Sequence, residues 1–418
     1  YSEAYQATGR QRYADTARRI IDYVKRDLTA PDGAFYSAED ADSEGEEGKF
    51  YVWTKAEVEQ LLNKDDAEFA ERVFHIEAAG NVHDEATGQL TGANVLYVDE
   101  DKSETARSLG LGEAEFDRRF ESVRKKLLAA RDKRIRPFLD DKILADWNGM
   151  MIAALATAAR ALHEPAYAED ARRAADFILH TMRTRDGGLL HRFRDGQVGI
   201  EGQLDDYAFL SWGLIELYET DFNVRDLQAA LDLNAHMLEH FGAESGGLYS
   251  TSDDAEKLPV RPIDPADGAL PSGNAIAMMN MLRLSLLTGD ATLEARAAKI
   301  AHAFAGEING MPSAFCAMLS ALDFAEGTGF EVVLAGDRDS ADGQAMLKAV
   351  RSRFLPDKVV LWRPEGKDAG AVVKLAPFTA EQKAIDGKAT AYVCRNFQCN
   401  LPTTDPKRVL ALLEESAK

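Results

Sequence analysis

Along this 418-residue chain, acids meet aromatics twice in related settings: Asp146-Trp147-Asn148 and Asp205-Asp206-Tyr207, with Asp146 and Asp206 60 residues apart. A third start of the same kind, Pro271-Ser272-Gly273-Asn274, brings a hydroxyl and an amide. An earlier loop adds Asp40, Asp42 and Glu47 and runs into Phe50-Tyr51-Val52-Trp53. Carboxylates can move protons or bind hydroxyls, and aromatic rings stack on pyranose faces, so the group suits a polar small-molecule pocket with sugar as the substrate class. Helix N-capping accounts for Asp205 or Ser272 taken singly, because such side chains satisfy free N–H groups; it accounts less well for the whole group. His191 could enter the same pocket as a base. His236 and His240 stand at i, i+4, but no Glu occupies the HExxH position, so no metal site and no cofactor are expected. Cys394 and Cys399, with four residues between them, could form a redox pair or half a zinc site; the reading preferred is isolated thiols.

The elements that must position these residues announce themselves through a repeat. Asp32-Gly33-Ala34-Phe35-Tyr36, Asp186-Gly187-Gly188-Leu189-Leu190 and Ser245-Gly246-Gly247-Leu248-Tyr249 each follow an amphipathic helical pattern and lead into a polar loop. Gly187 and Gly246 are 59 apart, and Gly33 and Gly187 are 154 apart, one such period plus an insertion of 95. A repeat of about 60 residues, two helices and a Gly-rich loop, builds an array of helical hairpins whose loops collect on one face. Helical periodicity runs through 13–28, 143–162, 167–182, 204–218, 227–241, 274–287, 293–304 and 313–324. The stretches 143–162, 204–218, 274–287 and 313–324 are apolar nearly all round, whereas the others carry charge on one face. The first kind is buried on every side and the second forms an outer layer. Alternation of the two predicts an (α/α) toroid over 1–327, with acids and aromatics at one mouth of its cavity. Residues 43–140 read as an excursion over that mouth, contributing Tyr51 and Trp53. Residues 328–418 read as a small α/β appendage, with strand-like runs at 330–336 and 358–362 about a helical segment.

Formal net charge is −21, which argues against nucleic acid and anionic membrane as partners. No apolar run is long enough to span a bilayer. Three cysteines do not make a disulfide framework, and the expected location is the cytoplasm. Tyr1 already lies inside a helical pattern, so the chain reads as a piece of something longer.

The run from Gly33 through Asp40 and Asp42 to Trp53 resembles the spermatogenesis-associated, thioredoxin-domain-containing protein family. So do 139–149, with Asp146-Trp147-Asn148-Gly149, Leu204-Asp205-Asp206-Tyr207, Pro271-Ser272-Gly273-Asn274 and Cys394-Arg395-Asn396-Phe397-Gln398-Cys399. The resemblance spans nearly the whole chain. It implies a six-hairpin, glycosidase-like (α/α)6 toroid akin to sugar 2-epimerases, and a missing N-terminal thioredoxin-like domain as partner. Two functions compete. One is a carbohydrate-processing enzyme, glycosidase- or epimerase-like, with Asp40, Asp42, Asp146, Asp205 and Asp206 as catalytic candidates. Glu47, Tyr51, Trp53, Trp147, Asn148, His191, Tyr207, Ser272 and Asn274 would contact its substrate. The other is a non-catalytic toroid binding a ligand or client for the thioredoxin-like domain. With Lys49 and Lys142 the only cations expected nearby, the cavity is expected to take neutral or cationic polyols and reject sugar phosphates.

Overall fold

The computed structural model describes residues 1–84, 86–98, 102–327 and 329–414. The chain forms two compact units, one of Tyr1–Ser37 with Asp141–Lys418 and one of Ala38–Asp140.

The larger unit is built from helices α1 (Ser2–Thr8), α2 (Gln11–Asp27), α3 (Ala145–Leu162), α4 (Pro165–Thr181), α5 (Leu204–Asp221), α6 (Val224–His240), α7 (Gly273–Thr288), α8 (Ala291–Gly310) and α9 (Cys316–Glu326). Contacts pass from α1 to α3, α5, α7 and α9 in turn, while α2, α4, α6 and α8 pack outside their partners. This is the inner and outer alternation of an (α/α) toroid. Inner helix α5 buries Leu204, Phe209, Leu210, Leu214, Ile215 and Leu217 on all sides, whereas outer α2 buries only Ala14, Ala17 and Ile21. The packing of α3 on α5 depends on missing side chains. A Cβ on Gly149 would lie 2.4 Å from the Phe209 carbonyl carbon, and one on Gly213 would lie 2.6 Å from the Gly149 carbonyl oxygen.

The three Gly-rich loops share one geometry. Gly33, Gly187 and Gly246 have φ of 90°, 97° and 102°, a region open to glycine. Isolated bridges join Thr29 to Phe35, Arg183 to Leu189 and Gly242 to Leu248. Each loop is then clamped by the next inner helix. Asn148 accepts from the Phe35 N–H at 2.8 Å and donates to its carbonyl at 3.0 Å. Asn274 treats Leu248 in the same way at 2.8 and 3.0 Å. In the middle repeat the Tyr207 hydroxyl accepts the Leu189 N–H at 2.8 Å.

Ile143 and Leu144, read from the sequence as helix, form a short strand, β1 (Ile143–Leu144). It pairs antiparallel with β2 (Leu190–Arg194), which pairs with β3 (Gln197–Glu201). Past α9, β4 (Phe330–Ala335), α10 (Ala341–Arg351), β5 (Lys358–Arg363), β6 (Thr390–Arg395) and β7 (Gln398–Cys399) form a sheet in the order β5-β4-β6-β7. β4 runs parallel to β5 and antiparallel to β6. Its buried residues belong to the same hydrophobic core as the helices. Cys394 and Cys399 face each other across β6 and β7 and are joined as a disulfide, so the reading as isolated thiols is corrected. A tight hairpin places them opposite one another, which their spacing alone left open.

The unit Ala38–Asp140 has a core of its own, with Trp53, Val58, Phe69, Val73, Phe116, Phe120 and Leu127. Of the expected 50–53 strand, Trp53–Thr54 alone is extended in a ladder, pairing with Ala93–Asn94.

Candidate functional site

The N-terminal ends of α3 and α5 meet around one carboxylate. Asp206, fully buried, accepts the Asp146 N–H of α3 at 3.0 Å and the Gln203 N–H at 2.7 Å. Its two oxygens lie 3.0 and 3.1 Å from Nδ1 of His191, carried in on β2. Asp206 thus ties two inner helices together and fixes the imidazole ring. With Nδ1 turned to the carboxylate, Nε2 is the nitrogen left for chemistry. The Asp206 hydrogen bond, working against burial, raises the His191 pKa above its ordinary value.

Two other carboxyls flank this pair in a different electrostatic state. Burial, then the Asp206 charge, pushes Asp146 up to about 6. Its side chain is 8% exposed and accepts the Trp147 N–H at 2.8 Å. Burial and Asp206 likewise push Asp205 up to about 6. Asp205 is only half-buried, and among the described residues no hydrogen bond to its carboxylate is recorded. A carboxyl that ionises near 6 beside an imidazole held by a hydrogen bond puts a proton acceptor and a proton donor close together. Ligand atoms of Asp146, His191 and Asp206 lie within 4.8 Å of one another and could hold a metal ion. As they stand they form a hydrogen-bonded group whose central carboxylate is already engaged by two backbone N–H donors.

Other expected site residues serve the scaffold. The Asn148 and Asn274 amides are spent on the loops, and Tyr207 is 3% exposed, its ring stacked on His236 at 5.2 Å. Ser272 donates to the Asp264 carbonyl at 2.9 Å. Trp147, 40% exposed, remains open for stacking. Asp40, Asp42, Glu47, Tyr51 and Trp53 all belong to the inserted unit. Asp40, Asp42 and Glu47 are exposed there, and Tyr51 donates to Glu39 at 2.8 Å. Trp53 is 5% exposed in that unit's core, with the Arg134 guanidinium 4.1 Å over its ring.

Sequence reasoning missed Asp267. Its oxygens accept the Ser272 N–H at 2.9 Å and the Ala317 N–H at 2.8 Å, joining the starts of α7 and α9 as Asp206 joins α3 and α5. It sits in a long loop outside the repeated phrases, so spacing gave no signal. Four charges deep in the apolar inner helices were also missed: Arg160, Glu216, Glu219 and Arg283. Charge within such a helix was the available signal.

The alternation of inner and outer helices defines the class as an (α/α) toroid. Over 99% of its length the chain is 34% identical to spermatogenesis-associated protein 20 of Homo sapiens and 32% identical to the Mus musculus protein. It is a homologue of these spermatogenesis-associated proteins, the family its motifs resemble. The chain spans 56% of the length of each. No family model matches it. Among solved structures, an inactive variant of the α-1,6-mannanase GH76A of Salegentibacter sp. in complex with α-1,6-mannotetrose is 12% identical, with a TM-score of 0.36 over 88% of this chain and 86% of that one. A sugar epimerase from a ruminal bacterium is 15% identical, with a TM-score of 0.35 over 60% of this chain and 71% of that one. Nothing about substrate or residues is transferred from likenesses of that size. Among the described residues no helix is long and apolar enough to cross a membrane.

Proposed function

We propose that the chain is a carbohydrate-processing enzyme, glycosidase- or sugar-epimerase-like, acting on a neutral sugar by general acid–base catalysis at the acidic mouth. The observation that carries this reading is the state of three groups around Asp206. His191 is held through Nδ1 by Asp206, which raises its pKa and leaves Nε2–H as the acid; Asp205, at about 6 and mostly ionised at neutrality, is the base. Asp146 is the second raised carboxyl, and exposed Trp147 offers a stacking face. An acid and a base on facing elements suit protonation of a glycosidic oxygen with activation of water, or proton removal and return at a carbon beside a carbonyl. An open Asp205, rather than acids all paired with Lys or Arg, favours catalysis over ligand holding alone. The role rests on the toroid's own residues.

Incubating the protein with neutral mono- and oligosaccharides in D2O, followed by NMR, separates the two chemistries. Hydrolysis yields new anomeric signals, and epimerisation puts deuterium on the carbon beside the carbonyl. Either outcome should vanish in Asp205→Asn. Failure of every neutral sugar to bind or react overturns the reading.

A further inference from the structure

The other end of the inner ring carries a second chemistry. A cavity of about 490 Å³ runs between the inner helices, from Pro271, Ile276 and Ala317 at the starts of α7 and α9 to Arg160 and Glu219 near the C-terminal ends of α3 and α5, and is closed by the segment between α10 and β5. On α3, Asp146 and Arg160 are separated by about 21 Å along the helix axis, so the cationic part of this cavity stands far from Asp146, although its other part reaches Pro271 at the start of α7.

Its polar wall is cationic, although the chain as a whole carries −21. Glu216 sits between Arg160 and Arg283, at 2.5 Å from the latter, and Arg283 also reaches Glu219 at 3.2 Å. Those two carboxylates are therefore engaged by two arginines. Two further cations line the same space. Arg351 donates to the Glu219 and Thr220 carbonyls at 2.8 and 2.7 Å, and Lys358 donates to the Val350 carbonyl at 2.8 Å. Neither has a carboxylate partner among the described residues. Capping of the α5 carbonyls explains the placing of Arg351, since cations suit helix C-termini. It does not explain a lysine on a strand, nor a void beside both. Apolar lining comes from Trp212, one turn before Glu216 on α5, Met279, one turn before Arg283 on α7, and Phe354. A buried cation lacking a counter-charge is costly, and an open polar space beside it is where an anion would sit.

We propose that this cavity binds a small organic anion, a carboxylate or phosphate monoester on a flat apolar body, with Lys358 and Arg351 taking the acid group and Trp212 the body. Burial lowers Lys358 to about 8 and Arg351 to about 9, as expected for cations awaiting a partner. The groups facing Lys358 are Glu216 and Glu219 of α5, Arg160 of α3, Arg283 of α7, Glu3 of α1, and Arg351 and Arg353 beside it. Lys358, Arg351 and Trp212 have no part in the reaction proposed around Asp206, so the two readings can fail separately.

Calorimetric titration of the 418-residue protein with benzoate, phenyl phosphate and benzyl alcohol tests the proposal. Benzoate or phenyl phosphate should bind at least about tenfold tighter than benzyl alcohol. Lys358→Met keeps the stem and removes the charge, and should abolish that preference with the circular dichroism spectrum unchanged. If the variant does not fold, the parent protein still decides: anion affinity should fall several-fold from pH 7.5 to 9.5, as Lys358 loses its proton, with proton uptake on binding near pH 8.5. Absence of binding, equal binding of benzyl alcohol, or an affinity flat with pH and indifferent to Lys358→Met overturns it.

Discussion

Asp205 and Asp206 are neighbours in sequence and opposites in circumstance. Asp206 is fully buried and wrapped in donors, whereas Asp205 is half-buried with no such donors among the described residues. Because the folded-state pKa of Asp205 is raised, the folded protein holds that proton more tightly than the unfolded chain. Its contribution is therefore favourable at low pH and is lost as pH rises through about 6. Asp205→Asn should raise stability at pH 7 by about 2 kcal/mol, with the gain gone near pH 4, as read by denaturant unfolding across pH. The same variant should lose at least about a hundredfold in turnover of any sugar found to react. Asp206→Asn tests the dyad instead. It should cost about 1–3 kcal/mol and return the His191 pKa towards its ordinary value in an NMR titration. An unmoved imidazole would remove Asp206 as the positioning residue.

At the scale of elements, the mouth is held by devices that repeat. Asn148 and Asn274 each satisfy both backbone groups of one loop residue, so Asn274→Ala leaves a buried N–H and C=O unpaired. Its expected cost is about 2–4 kcal/mol in chemical denaturation, with the Leu248 amide becoming fast in hydrogen exchange. The α3–α5 crossing is set by glycine, and Gly149→Ala has backbone rather than flexible side chain to displace. It should cost about 3 kcal/mol or more. Gly45→Ala, at φ 78° with nothing within 4 Å of the new methyl, should cost about 1–2 kcal/mol from strain alone. Equal losses at the two positions would show that the helix crossing is looser than described.

Across the whole molecule, charge is sorted along the inner helices. The raised carboxyls Asp146 and Asp205 stand at N-terminal ends, while Arg160 stands near the C-terminal end of α3, with Lys358, which has no carboxylate partner among the described residues, lining the same cavity. The Arg160–Glu216–Arg283 cluster joins α3, α5 and α7 inside the ring. Removing its central charge leaves two buried cations opposed, so Glu216→Gln should destabilise by about 3–5 kcal/mol, measured as a shift in urea midpoint. The expectation that the cavity rejects sugar phosphates rests on the acids at the helix starts and leaves these cations out of account. Lys49, counted among its cations from the sequence, is tied to Glu44 and Glu46 at 3.6 and 3.2 Å within the inserted unit.

The sequence determined what is local and periodic. Its alternation of all-round apolar and one-sided helices, with glycine at fixed spacing, specified the inner and outer layers and placed Asp146 and Asp206 at equivalent helix starts. Periodicity reports burial, and burial follows from which faces must leave water. It did not specify how equivalent residues divide their labour. Asp206 is held by three partners because donors arrive from Gln203 and Asp146, and His191 from a hairpin that no pattern marked. Tyr207 and the two asparagines read as ligand contacts because polar groups at a mouth look alike until their partners are known. The pairing of Cys394 with Cys399 and the cationic cavity likewise depend on which chain segments fold back on one another. Hydrogen bonds and ion pairs join residues far apart in sequence, so tertiary structure alone decides which polar groups are spent on the fold and which are left for chemistry.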